Sequence, residues 1–286
     1  MRKVLSRGVI HIAILLLAFL GSVVAVFVSS RALKNQQKTN ALIEIKTPTP
    51  TVSPTPISNY VLPVLKRSDA YTIVFVGDSM VDVLGENFDY LRQSLEDYYQ
   101  NLVFGLFNYG YGSTNILTLE ERLNQDTVYR GKKNEAVLDR FLDVIVIGSF
   151  GHNPLSDLSL DVGLKKQEEV LDRAVLQLVT EKPNTLIIFL AEFAPSEANY
   201  GRGVVELTPE QRSVWVSERK AYIENHIEYA KNHNIPLINI YEESTINGEV
   251  DLDYINKDDY IHPSSTGLVF MSQKIADFLH NNSFLP

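Results

Sequence analysis

The chain has 286 residues, 45% of them apolar and 21% charged, with a formal net charge of −9 and no cysteine. That acidic balance excludes a protein built to neutralise nucleic-acid phosphates, which would carry a basic face. The missing thiols exclude disulfides, cysteine nucleophiles and cysteine-ligated zinc. The length suits one large domain or two small ones with a substantial core.

In chain order, the first informative segment is "VIHIAILLLAFLGSVVAVFV", residues 9–28, which contains no charged residue. It is about long enough to cross a hydrocarbon core of roughly 30 Å as a helix. Arg2, Lys3 and Arg7 precede it, which by the positive-inside rule holds the N-terminus in the cytoplasm. Arg31, Lys34 and Lys38 on the far side weaken that asymmetry. Residues 1–30 therefore read as a cytoplasmic tip and a single transmembrane signal-anchor, with the rest of the chain outside. A cleaved signal peptide, leaving a secreted protein, is the competing reading. Its apolar core is typically only about 7–15 residues, and "VFVSSRA" is a poor cleavage sequence. Residues 31–60 read as a linker, in which the Pro/Thr alternation "KTPTPTVSPTPIS" (46–58) favours extended backbone and buries nothing. Residues 61–286 are left as the globular domain.

From residue 70 onward, short and nearly continuous apolar runs occur at 71–77, 102–110, 143–150, 184–193 and 236–241. Such runs fit strands buried on both faces. Helical periodicity lies between them, in "ENFDYLRQSLEDYYQ", "ILTLEERLNQ", "VGLKKQEEVLDRAVLQLVTEK" and "TPEQRSVWVSERKAYIENHIEYAKNHN", and again in the closing "SSTGLVFMSQKIADFLHN". Thr208, Pro209 and Gln211 make a capping box with proline at the first helical position. The pattern predicts an α/β fold: a doubly wound, five-stranded parallel sheet with helices on both faces, a flavodoxin-like three-layer sandwich.

Sheets of this kind place ligands beyond the carboxyl ends of their strands. Ser79 follows the first run, Gly110 and Gly112 the second, Asn153 the third, and Asp259 with His262 the fifth. Each has an ordinary alternative: a capping serine, turn glycines, an asparagine opening a turn before Pro154. Their ordered arrival at one sheet edge is what favours chemistry. His152 is a rival base without an acid at a comparable offset, while His226, His233 and His280 are expected on helix surfaces. "DLDYINKDD" is acidic but lacks the glycine and terminal glutamate of an EF-hand loop, so no metal and no other cofactor is expected.

These blocks resemble the SGNH/GDSL hydrolase family. "VFVGDSM" resembles its first block, with Met80 where many members have leucine, and "NYGYGST" its second, matching Gly112 with Gly110 as fallback. "GHNP" resembles the third through Gly151 and Asn153, with Pro154 replacing the usual acid, and "DYIHP" the fourth through Asp259 and His262. The resemblance covers roughly residues 70–280. It implies a serine esterase or lipase-like acyl hydrolase in which Ser79 attacks, His262 is the base and Asp259 orients it. The oxyanion would be held by the Ser79 and Gly112 amides and the Asn153 side chain. With the exported location, acetyl esters of envelope or extracellular carbohydrate are the expected substrates and lipid esters the second choice. In the loop "EFAPSEANYGRGVVEL", Tyr200 and Arg202 are candidates for substrate contact. An acyltransferase using the same acyl-serine and a silent carbohydrate-binding module remain alternatives.

Overall fold

The computed structural model describes residues 59–285. The predicted membrane segment and nearly all of the predicted linker lie outside the described residues. Among the described residues no helix is long and apolar enough to cross a membrane. In chain order the elements are β1 (Ala70–Gly77), α1 (Ser79–Asp82), α2 (Asp89–Tyr98), β2 (Val103–Gly110), α3 (Leu119–Asn124), β3 (Thr127–Tyr129), β4 (Lys132–Asn134), β5 (Val144–Gly148) and α4 (Leu160–Glu181). They continue with β6 (Leu186–Ala191), α5 (Pro209–Asn232), β7 (Leu237–Asn239), α6 (Ile240–Glu243), β8 (Thr245–Ile246), β9 (Glu249–Val250) and α7 (Ser265–Asn281).

The main sheet runs β2-β1-β5-β6-β7 with every neighbouring pair parallel. Alternation along each strand builds two cores. Ile73 and Phe75 of β1 pack with Leu91 and Leu95 of α2 and Met271 and Ile275 of α7. Val74 and Val76 pack with Leu119 of α3, Val170 of α4 and Tyr222 of α5. Both faces are therefore covered, which is why these strands read as continuous apolar runs. Counting the five strands by chain order, the sheet reads 2-1-3-4-5, and its order reverses between β1 and β5. That reversal is where α/β sheets of this order hold ligands.

All five predicted strands are present, with trimmed ends. The fifth shortens because the Asn239 side chain accepts from the Glu242 amide at 3.1 Å and caps α6, turning the chain out of the sheet. The Thr208–Gln211 capping box forms as expected and opens α5. The hairpins β3–β4 and β8–β9 were not expected; their strands are too short and polar to show a period. His226 corrects another expectation. It is fully buried and stacks on Phe189 at 4.2 Å between ring centroids, because α5 turns that face toward the sheet. At the start of the described residues, Tyr60 is buried and accepts from the Ile187 amide through its hydroxyl at 2.8 Å.

Gly77 and Gly110 pair directly at the carboxyl ends of β1 and β2. A Cβ on Gly77 would stand 2.3 Å from the Val81 side chain, and one on Gly110 would stand 2.2 Å from the Asp82 backbone nitrogen. Both glycines are required because α1 lies flat across this corner. Backbone cannot yield as a side-chain tip does, so Gly110→Ala should destabilise the fold by about 1–3 kcal/mol, the usual overpacking cost, measured as a loss in denaturant midpoint. Gly112→Ala should cost less, since its Cβ would meet nothing nearer than the Tyr129 hydroxyl at 3.2 Å.

Candidate active site

Asp78 follows β1 and caps α1: its Oδ1 accepts from the Met80 amide at 2.8 Å. This turn sets half-buried Ser79 at the first position of α1, beside the reversal of strand order. Across that reversal, after β5, the half-buried Asn153 donates through Nδ2 to Asp78 Oδ2 at 2.9 Å. One carboxylate thus anchors both the turn that carries the serine and the amide opposite it.

His262 and Asp259 come from the loop ahead of α7. His262 Nδ1 and Asp259 Oδ2 are 2.8 Å apart, with side-chain exposures of 30% and 19%. Asp259 Oδ1 accepts from the Ile261 and His262 amides at 2.8 and 3.1 Å, locking the carboxylate in place. Burial pushes the Asp259 pKa up, but the bonds from the His262 ring and the two amides outweigh it and hold it below the usual range. An ionised Asp259 favours the proton on Nδ1, which leaves Nε2 free to accept one. Among the described residues neither Ser79 Oγ nor His262 Nε2 makes a hydrogen bond.

Gly112 follows β2, and its Cβ position lies 3.9 Å from Ser79 Cβ. Its amide donates to the Tyr129 hydroxyl at 2.9 Å, whereas the Gly110 amide is taken by Asn108 Oδ1 at 2.8 Å. Gly110 is the packing glycine and Gly112 the one that lies beside the serine. Three loops around the site each hold one non-glycine residue in the left-handed region: Ser113 (φ 59°), Phe150 (φ 57°) and Tyr260 (φ 52°). Such conformations persist where surrounding contacts over-determine them, and they concentrate at functional sites.

Tyr200 is only 2% exposed; its hydroxyl meets His152 Nδ1 at 3.2 Å and accepts from Arg219 Nε at 3.0 Å. It stitches the Asn153 loop to α5 and offers no surface to a ligand, contrary to the expectation of substrate contact. Arg202 is exposed, on a segment where Gly203 approaches the Asp258 carbonyl closely enough to exclude a Cβ. That puts it near the Asp259 loop. His152 is fully buried and its pKa falls to about 4 through desolvation, so it is neutral and structural. Among the described residues no group of three or more His, Asp or Glu side chains converges as a metal site would.

Among the residues that escaped the sequence reading are Glu192 and Tyr129. Glu192 is fully buried at the end of β6, accepting from the Ser149 amide at 3.0 Å and bonded to the Ser149 hydroxyl. Ser149 Oγ in turn accepts from the Gly151 amide at 3.0 Å, so this acid braces the loop carrying Asn153. The only signal was a charged residue directly after an unbroken apolar strand. Tyr129 gave no signal, because it arrives from 17 residues beyond Gly112.

Burial raises the Glu192 pKa to about 8, with the nearby Asp78 charge as second cause. An acid raised in the folded state adds stability below its unfolded pKa, near 4.5, and loses it as pH rises through the folded value. Stability should therefore fall between pH about 5 and 8, with a slope approaching about 1.4 kcal/mol per unit. Glu192→Gln should flatten that slope in urea titrations across the same range.

The chain matches no family model and no curated protein. Among solved structures, a lipase/acylhydrolase from Enterococcus faecalis is similar with a TM-score of 0.52 at 18% identity, covering 74% of this chain and 96% of that one. A GDSL-like lipase from Parabacteroides merdae gives 0.55 at 15% identity, covering 78% and 99%. The acetyl xylan esterase AlAXEase gives 0.51 at 18% identity, covering 71% and 97%. This chain shares the fold of the GDSL/SGNH acyl hydrolases.

Proposed function

We propose that the protein is a serine esterase acting on acyl esters, with Ser79, His262 and Asp259 as its triad. The observation that carries this reading is the His262–Asp259 pair at 2.8 Å on the same sheet edge as a serine that opens α1. Ser79 Oγ attacks the ester carbonyl carbon while His262 Nε2 takes its proton, and Asp259 stabilises the resulting imidazolium. The imidazolium then returns the proton to the departing alkoxide, leaving an acyl-serine. Water, deprotonated by the same imidazole, adds to the acyl carbon; the Oγ–acyl bond then breaks, Ser79 Oγ takes the proton back from the imidazolium, and the acid leaves. The oxyanion is met by the Ser79 and Gly112 amides and the Asn153 side chain. Asn153 keeps a second N–H for this task while its first is held by Asp78.

O-acetyl esters of envelope or extracellular carbohydrate are the substrates this reading favours. The shared fold with an acetyl xylan esterase supports it, as does the sequence reading of residues 9–28 as a signal-anchor that holds the domain outside the membrane. The anchor and the outside location rest on that reading of the sequence.

The full-length protein should hydrolyse p-nitrophenyl acetate faster than longer-chain esters, and Ser79→Ala should abolish turnover. Asn153→Ala should lower kcat by about 100- to 1,000-fold, as loss of one oxyanion donor does. Undiminished turnover in Ser79→Ala would refute the mechanism. A rate that appears only when a sugar acceptor is added would replace hydrolysis with acyl transfer.

A further inference from the structure

The Gly112 N–H, a donor the esterase reading assigns to the oxyanion, is not free. It donates to the Tyr129 hydroxyl at 2.9 Å, and that hydroxyl donates its single proton to Asp82 Oδ2, also at 2.9 Å. A phenol has one hydrogen to give. While it is committed to Asp82, the hydroxyl turns only lone pairs toward Gly112, the place a carbonyl oxygen would take. It cannot stabilise a developing oxyanion there; it can only compete with one.

The hairpin around it is built to hold this contact. Arg130 and Gly131 at its tip both have positive φ, 50° and 78°, the pairing that a tight two-residue hairpin turn requires. The turn brings Arg130 Nη2 to the same Asp82 oxygen at 2.8 Å. The Tyr129 ring stacks on Tyr111, with centroids 4.4 Å apart. Beside the hairpin lies a cavity of about 270 Å³, lined by Tyr129, Phe107, Tyr109, Gly110 and Arg140 among others.

We propose that Tyr129 is a specificity-determining residue whose hydroxyl occupies the substrate carbonyl's place at Gly112 and is displaced by the ester on binding. The inference rests on the esterase reading and adds a competitor to it. Asp82 is the latch, through Tyr129 and Arg130 together. Esters whose carbonyl can displace the phenol enter the site, and the work of displacement appears in KM.

The test uses full-length protein and p-nitrophenyl acetate. Tyr129→Phe keeps the ring on Tyr111 and removes the competing oxygen. Its KM should fall about three- to tenfold, the worth of one ordinary hydrogen bond, with kcat unchanged. Asp82→Asn, which leaves the ring and hydroxyl in place but weakens the latch, should lower KM in the same direction. It keeps the proposal falsifiable if the Phe variant folds poorly. A merely structural tyrosine would change the melting temperature without this KM-against-kcat split. An unchanged or raised KM in both variants, or a fall in kcat for Tyr129→Phe, would overturn the proposal while wild-type turnover left the esterase reading standing. Absence of turnover in the wild type on every ester would overturn both.

Discussion

A single buried guanidinium ties together the corner on which the site is built. Arg122 of α3 is 1% exposed, and its Nη1 donates to the Gly77 carbonyl and, at 2.7 Å, to the Tyr109 carbonyl. Its Nη2 donates to the Thr114 hydroxyl and, at 2.8 Å, to the Thr118 hydroxyl. The strand that delivers Ser79, the strand that delivers Gly112 and the loop after it therefore meet at one planar group. A fork of fixed donors sets their spacing in a way that a flexible lysine ammonium would not.

Removing that charge from water costs several kcal/mol unless partners compensate. Desolvation lowers the Arg122 pKa to about 10, so it stays charged at neutral pH. Asp78 answers it from beneath the serine, and the Tyr111 ring lies 4.3 Å below the guanidinium. Asp78 is itself desolvated, its pKa raised by burial and drawn back by the Asn153 amide, the Met80 amide and Arg122. The second buried acid, Glu192, is raised by burial and by the nearby Asp78 charge. The buried centre under the site thus holds one guanidinium and two carboxyl groups whose pKa values burial raises.

What could be read from the chain follows how local each feature is. The strands were legible because burial on both faces leaves no room for polar residues, as in "TIVFV" and "VIVIG". The capping box of α5 was legible because its donors and acceptors lie within four residues. Asp259 and His262 were legible because three residues of one loop bring them into contact. Tyr200 was misread because an aromatic in a long polar loop looks available until the fold buries it against His152 and Arg219. Arg122 sits in "LEERLNQ", part of a stretch with helical periodicity, and nothing there announces that one of its charges turns inward.

The sequence by itself determined the parallel sheet, its two helical layers and the residues brought to its carboxyl edge, since periodicity and strand-end position are properties of short segments. Only the tertiary structure decided which of two glycines faces the serine. That choice depends on α1 lying across Gly110 while Gly112 stays clear of it. Only the tertiary structure brought Tyr129 to the Gly112 amide and Glu192 to the Asn153 loop, because those contacts join segments 17 and about 40 residues apart. Local chemistry chose the candidates, and long-range packing chose their neighbours.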